Sequence, residues 1–127
     1  MKWLDRHTVF APHLALCLNE KDFDAAVRHC KVKDPGPWLD PERHRALVHT
    51  WELCGRLTCV VCLHPEHATS DPIEVAGSLV HEAVHIFQKL CQSIGEHSPS
   101  SEFEAYSIQR IAETLMREYA RQTGGSK

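Results

Sequence analysis

Two histidines and a glutamate within five residues carry the most distinctive chemistry of this chain: His81-Glu82-Ala83-Val84-His85. In a helix, residues four apart stand one above the other on one face, separated along the axis by about 6 Å. Two imidazoles so placed can hold one zinc ion. Glu82, beside the first of them, is badly placed to ligate but well placed to take a proton from a water on that zinc. The chemistry this predicts is hydrolysis. With ten histidines in 127 residues, so short a pattern gains its weight from its surroundings. Here it lies inside an apolar segment, where buried charge is costly unless paired or bound to metal.

That segment runs from Ile73 to about Leu90 and reads as a helix. Leu79, Ala83, Phe87 and Leu90 recur at intervals of three and four, with Ala76, Val80 and Ile86 widening the stripe. Asp71-Pro72-Ile73-Glu74 is its start signal: Asp71 as cap, Pro72 at the first helical position, Glu74 closing a capping box. The helix should extend to about Gln92. Gly95 to Pro99 breaks it, and Ser98 or Ser100 caps a last helix over about 101–121. Upstream, His13 to Leu18 alternates as a strand, and Asn19 caps a helix from about Glu20 to Cys30. Asp34-Pro35-Gly36-Pro37 interrupts the chain, and Asp40-Pro41-Glu42 could open a single turn. Ala46–Leu53 and Leu57–Leu63 read as two strands joined by a tight turn at Cys54-Gly55. His64 to Ser70 reads as polar loop. Residues 1–12 read as an arm pinned by Trp3 and Leu4, and 122–127 as a frayed tail.

A catalytic zinc site needs a third protein ligand and leaves one position for water. The last helix offers Glu102, Glu104, Glu113 and Glu118. Glu104 shares a stripe with Ile108, Ile111 and Leu115, so periodicity turns it toward the protein body and favours it over Glu102. Glu102 could instead hold a ligand histidine in place, or face water. Glu113 reads as surface.

His81-Glu82-x-x-His85, followed after 18 residues by Glu104, resembles the gluzincin clan of metallopeptidases. Residues 79–88 paired with 102–109 are similar to small metallopeptidase-like proteins of phages and prophages and to minimal gluzincin domains. The likeness covers residues 46–119, since those domains place a strand hairpin before the motif helix, and is loose over 1–45. It implies zinc held by His81, His85 and Glu104, with Glu82 as general base for peptide-bond hydrolysis by a zinc-bound water. It also implies an α+β, zincin-like fold: a short sheet with a hairpin, packed on the central motif helix and a C-terminal helix. The second lobe of larger clan members has no counterpart, so the oxyanion needs another partner. The catalytic candidates for it are Tyr106, His49, His97 and Tyr119, which the sequence does not rank; Tyr106, two residues after Glu104, could instead only orient a ligand. A peptide could add to the outer edge of strand Leu57–Leu63. The substrate would be a protein, a peptide or a cell-wall crosslink.

Size and composition bound the rest. The length fits one domain, 1–127, with one modest core. Net charge is -3 and no basic block occurs, which argues against a nucleic-acid partner. No apolar run reaches membrane-spanning length. The first 18 residues lack the apolar core of a signal peptide, so the expectation is a cytoplasmic protein with reduced thiols; the oligomeric state is left open. Cys59-x-x-Cys62 invites a redox or second-zinc reading with His64 and His67, but an odd offset in a strand puts the two thiols on opposite faces. His7, His13, His29 and His44 carry no ligating spacing. Two other readings compete with the hydrolase: a non-catalytic, zinc-stabilised scaffold or interaction module, whose fourth position would be closed by protein, and an ordinary metal-free α+β domain.

Overall fold

A computed structural model of the chain describes residues 1–4, 12–53 and 55–124. Cys54, residues 5–11 of the expected arm and the last three residues of the expected tail lie outside the described residues. The described chain is α+β: three strands in one sheet and four helices. In chain order they are β1 (His13–Cys17), α1 (Glu20–Cys30), β2 (Ala46–Leu53), β3 (Arg56–Leu63), α2 (Pro65–Ala68), α3 (Pro72–Ile94) and α4 (Ser101–Gln122). No described helix is long and apolar enough to cross a membrane.

The sheet order is β1-β3-β2. β3 pairs in parallel with β1, Ala15 facing Val60, and antiparallel with β2, Val48 facing Val61. It is therefore the central strand, and its residues are buried from Leu57 to Leu63. A central strand has no free edge, which overturns the expectation that a peptide adds to Leu57–Leu63. β2 is the edge. Arg45 O accepts the His64 N–H at 2.8 Å, and Leu53 faces Arg56 across the turn. The ladder alternates, so odd-numbered residues of β2 bond to β3, while Ala46, Val48, Thr50 and Glu52 turn their backbone groups outward. Gly55 takes φ +75° in the turn, a conformation that costs glycine little.

Two cores lie on opposite faces of the sheet, as period-two alternation demands. On one face Leu14, Leu16, Cys59 and Val61 pack under Leu79, Ala83, Ile86 and Phe87 of α3 and Ile111 and Leu115 of α4. On the other, Ala15, Cys17, Val60 and Cys62 pack under Phe23 and Ala26 of α1 and Leu39. Cys59 and Cys62 thus face different cores, and burial pushes the Cys59 thiol up to about 12. At the arm, Leu4 exchanges backbone hydrogen bonds with Leu14 at 2.8 and 3.4 Å, and the Trp3 ring lies against His13 and His29.

The helix starts follow local chemistry. Asn19 Oδ1 accepts from Asp22 N–H at 2.9 Å, Asp71 Oδ1 from Ile73 N–H at 2.9 Å, and Ser100 Oγ from Phe103 N–H at 3.2 Å. Each satisfies a donor the first turn leaves open. Glu74 does not close the expected box; its carboxylate lies 3.9 Å from Arg45. Two features depart further from expectation. Val80 is 39% exposed and Ile73 80%, so the inward stripe of α3 is narrower than its composition suggests. And 64–70 is not simply loop: His64 Nδ1 accepts from Glu66 N–H at 3.1 Å, Pro65 takes the first helical position, and α2 buries His67 and Ala68.

α3 and α4 form an antiparallel hairpin. Phe87 and Phe103 meet edge to face at 5.6 Å near the closed end. At the other end the Tyr119 hydroxyl donates to Ala68 O, and Gln122 Nε2 donates to Leu16 O at 2.9 Å.

Candidate active site

α3 brings the two motif histidines together. His81 Nε2 and His85 Nε2 stand 3.2 Å apart, with the rings edge to face. Two imidazole nitrogens on one tetrahedral zinc, each at about 2.05 Å, would be separated by about 3.3 Å. The separation in the structure therefore suits a shared ion as well as it suits a ring-to-ring hydrogen bond. Both histidines are exposed, so the face of α3 that carries them is open rather than buried.

Glu82 lies a third of a turn round the helix and is only 5% exposed. Burial pushes its carboxyl above the ordinary glutamate range, against the opposing pull of His81, His85 and His44. A carboxylate with a raised pKa surrounded by imidazoles is what a general base that must later act as an acid requires.

A cleft of about 470 Å³ lies along this face, between α3 and the lead-in to β2. Arg43, His44, Arg45 and Ala46 line one side; Gly77, Ser78, His81 and Glu82 line the other. It adjoins a second hollow of about 430 Å³, floored by α2, through His44, Arg45, His67 and Glu74. His67 anchors α2: its Nε2 lies 2.8 Å from Ser78 Oγ and its Nδ1 3.4 Å from Ser70 Oγ. Burial, aided by Arg45, lowers its pKa.

Glu104 is placed differently. Its stripe does run through Ile108, Ile111 and Leu115, of which the last two are buried. But Glu104 sits one turn before Ile108, where the hairpin core runs out, and it is exposed. It lines a hollow with Phe87, Gln88, Gln92 and His97. At 100° per residue, Gln88 and Gln92 continue the His81–His85 face, so Glu104 meets that face about one turn beyond His85. Among the described residues, no group of three or more His, Cys, Asp or Glu side chains is gathered closely enough to hold a metal ion. The structure thus assembles two of the three expected donors, and the fit to zinc rests on the histidine pair.

The oxyanion candidates scatter. Tyr106 is 66% exposed on α4. His49 lies 2.9 Å by Nε2 from Trp38 O and stacks on Phe23, on the far face of the sheet. Tyr119 is spent on Ala68 O, and His97 lies in the Glu104 hollow. His44, on the lead-in to β2, lines the same cleft as Glu82, which spacing alone could not reveal because it lies 38 residues upstream.

α4 holds another buried carboxylate. Glu118, 2% exposed, accepts from Arg121 Nε at 2.8 Å and from Gln122 Nε2 at 2.7 Å. Burial alone would raise its pKa; the bonds from Arg121 and Gln122 outweigh it and hold it below the ordinary range. Comparison of the chain with protein-family models, with curated proteins and with solved structures finds no match.

Proposed function

We propose that this chain is a small zinc-dependent hydrolase of peptide bonds, organised like a minimal gluzincin domain. The observation that carries the reading is the 3.2 Å separation of His81 Nε2 and His85 Nε2, beside a buried carboxylate, Glu82, that shares a cleft with His81. His81 and His85 would hold the ion, and Glu104, which meets the same face of α3, is the carboxylate proposed to join them. Zinc bound there would supply an acidified water and a polarised substrate carbonyl.

Glu82 does the proton work. It accepts a proton from the attacking water as the water oxygen bonds to the carbonyl carbon. It returns a proton to the nitrogen as the C–N bond breaks and the amine leaves. Burial keeps competing water off the carboxylate and raises its affinity for the proton it must carry. The open edge of β2 supports a peptide substrate. The outward backbone groups of Ala46 and Val48 could pair with an extended chain, and Ala46 lines the same cleft as Glu82. Recognition of this kind grips backbone and is permissive of side chains.

The test is cleavage of a mixed peptide library by zinc-loaded protein, read by mass spectrometry, beside Glu82→Gln. Cleavage that Glu82→Gln abolishes while zinc content is kept supports the reading. Stoichiometric zinc with no cleavage would instead favour the non-catalytic scaffold, and no zinc at all would remove both.

A further inference from the structure

The two edges of the sheet are treated differently. At the β1 edge Leu4 N–H donates to Leu14 O at 2.8 Å and Leu14 N–H to Leu4 O at 3.4 Å, so the chain covers that side itself. At the β2 edge, among the described residues, no backbone partner meets the outward groups of Ala46, Val48, Thr50 and Glu52. β2 also lacks the usual devices that keep an edge from pairing. Ala46–Leu53 holds no proline, lysine or glycine, and its one-to-one register with β3 runs through all of these residues without a bulge. Its single charged side chain, Glu52, stands near the far end. A row of open donors and acceptors on a regular strand is a template for another strand.

We propose that this edge pairs with a second copy of the chain, β2 against β2, antiparallel and two-fold symmetric. The charges at the strand ends choose this partner and this direction. Arg43 and Arg45 precede β2, and Glu52 lies near its end. Parallel pairing would set Arg45 beside Arg45 and Glu52 beside Glu52; antiparallel pairing sets each positive lead-in against the other copy's Glu52. Glu74 competes weakly for Arg45, at 3.9 Å, and leaves the Arg45 side chain 73% exposed. The outward groups alternate, so even-numbered residues must face even-numbered ones. With the two-fold axis at Val48 or at His49, Ala46, Val48 and Thr50 of each copy all find partners, for about six backbone hydrogen bonds or more. In both registers Glu52 falls one residue from the position opposite Arg45 of the second copy. The contact is isologous, so it closes at a dimer. Two three-stranded sheets become one continuous sheet whose outer strands are the covered β1 edges. The second copy and a peptide substrate would contend for one edge, since Ala46 lines the Glu82 cleft. The pairing itself requires neither zinc nor the hydrolase reading.

Sedimentation equilibrium of the metal-free full chain tests this. The mass should move from 14.4 kDa toward twice that value as concentration rises to about 1 mM. Amide hydrogen exchange at the two ends of that range should show Ala46, Val48 and Thr50 protected only in the dimer, and Leu47 and His49, which bond to β3, protected throughout. A monomer at every concentration, or a dimer in which those three amides exchange as fast as in the monomer, overturns the proposal. Arg45→Glu and Glu52→Arg should each weaken the dimer by about tenfold, since each sets like charges together. Combining the two should recover most of the loss. Thr50→Pro removes an N–H that points outward and that β3 does not use, so it should abolish the dimer in a folded chain. A dimer that survives Thr50→Pro, or that ignores both charge reversals, sinks the assignment of this edge and leaves the hydrolase reading untouched.

Discussion

Glu82 and Glu118 are two carboxylates buried to nearly the same degree in one helical hairpin, 5% and 2% exposed, and their affinities for protons move in opposite directions. Glu118 is saturated: Arg121 and Gln122 donate to it, and Gln122 also ties α4 to β1 through Leu16 O. Glu82 faces a cleft, and burial rather than any hydrogen-bond donor sets the direction of its shift. Burial is therefore no mark of function by itself. What separates a structural carboxylate from a reactive one is whether its lone pairs are already committed.

The sharpest way to break this contrast is to neutralise each carboxylate without changing its shape. Glu82→Gln should lower the rate of hydrolysis by about 10²–10⁴-fold while zinc content is retained. Full activity in a metal-loaded Glu82→Gln protein would show that the buried carboxylate is not the base. The same substitution should raise the melting temperature of the metal-free protein at pH 7 by a few degrees, because it removes a charge that burial disfavours. Glu118→Gln should do the reverse. It leaves activity intact and costs about 1–3 kcal/mol of stability, the usual consequence of spoiling a buried, charge-assisted set of hydrogen bonds. Chemical denaturation beside a cleavage assay separates the two.

A second comparison lies within the proposed metal site. His81→Ala or His85→Ala should abolish stoichiometric zinc, as each removes half of the assembled pair. Glu104→Ala should weaken zinc far more than Glu102→Ala, because only Glu104 shares a hollow with the α3 face that continues beyond His85. Equal zinc content in the two purified glutamate variants would leave the third donor to be found elsewhere.

Much of the frame was legible from the sequence because it is local. Asn19, Asp71 and Ser100 are caps whose chemistry acts over two or three residues, and the helices begin where they stand. The alternation of β3 likewise put Cys59 and Cys62 on opposite faces. What escaped is non-local. No spacing shows that His44 lines the cleft with Glu82, since a strand and a hairpin must fold first. Strand order is equally silent, which is why β3 was given an edge that β1 covers. The periodicity of α4 put Glu104 on the inward stripe but not past the end of the core, which depends on where Phe87 and Phe103 meet. α2 could have been read: His64-Pro65-Glu66 is a cap, a proline and an acid in the order a helix start uses.

Acid provides the gentlest probe, because it acts on both carboxylates and on His67 in different windows. The His67 pKa is lowered by burial, so its contribution to stability is full above the unfolded histidine value of about 6.5 and is lost as pH falls through the lower folded value. The Glu118 pKa is lowered too, so its contribution is full above about 4.3 and drains away below that. Glu82, with a raised pKa, works the other way: its burial penalty is present at neutral pH and is relieved as pH falls through the folded value. Metal-free protein should accordingly lose stability first as pH falls below about 6.5, and more steeply below about 4.3, with the relief at Glu82 opposing these losses. His67→Gln, whose amide can still meet Ser78, should remove the upper loss and leave the lower one. Glu118→Gln should remove the lower and leave the upper. Both losses surviving in either variant would mean that groups other than these set the acid response of the hairpin.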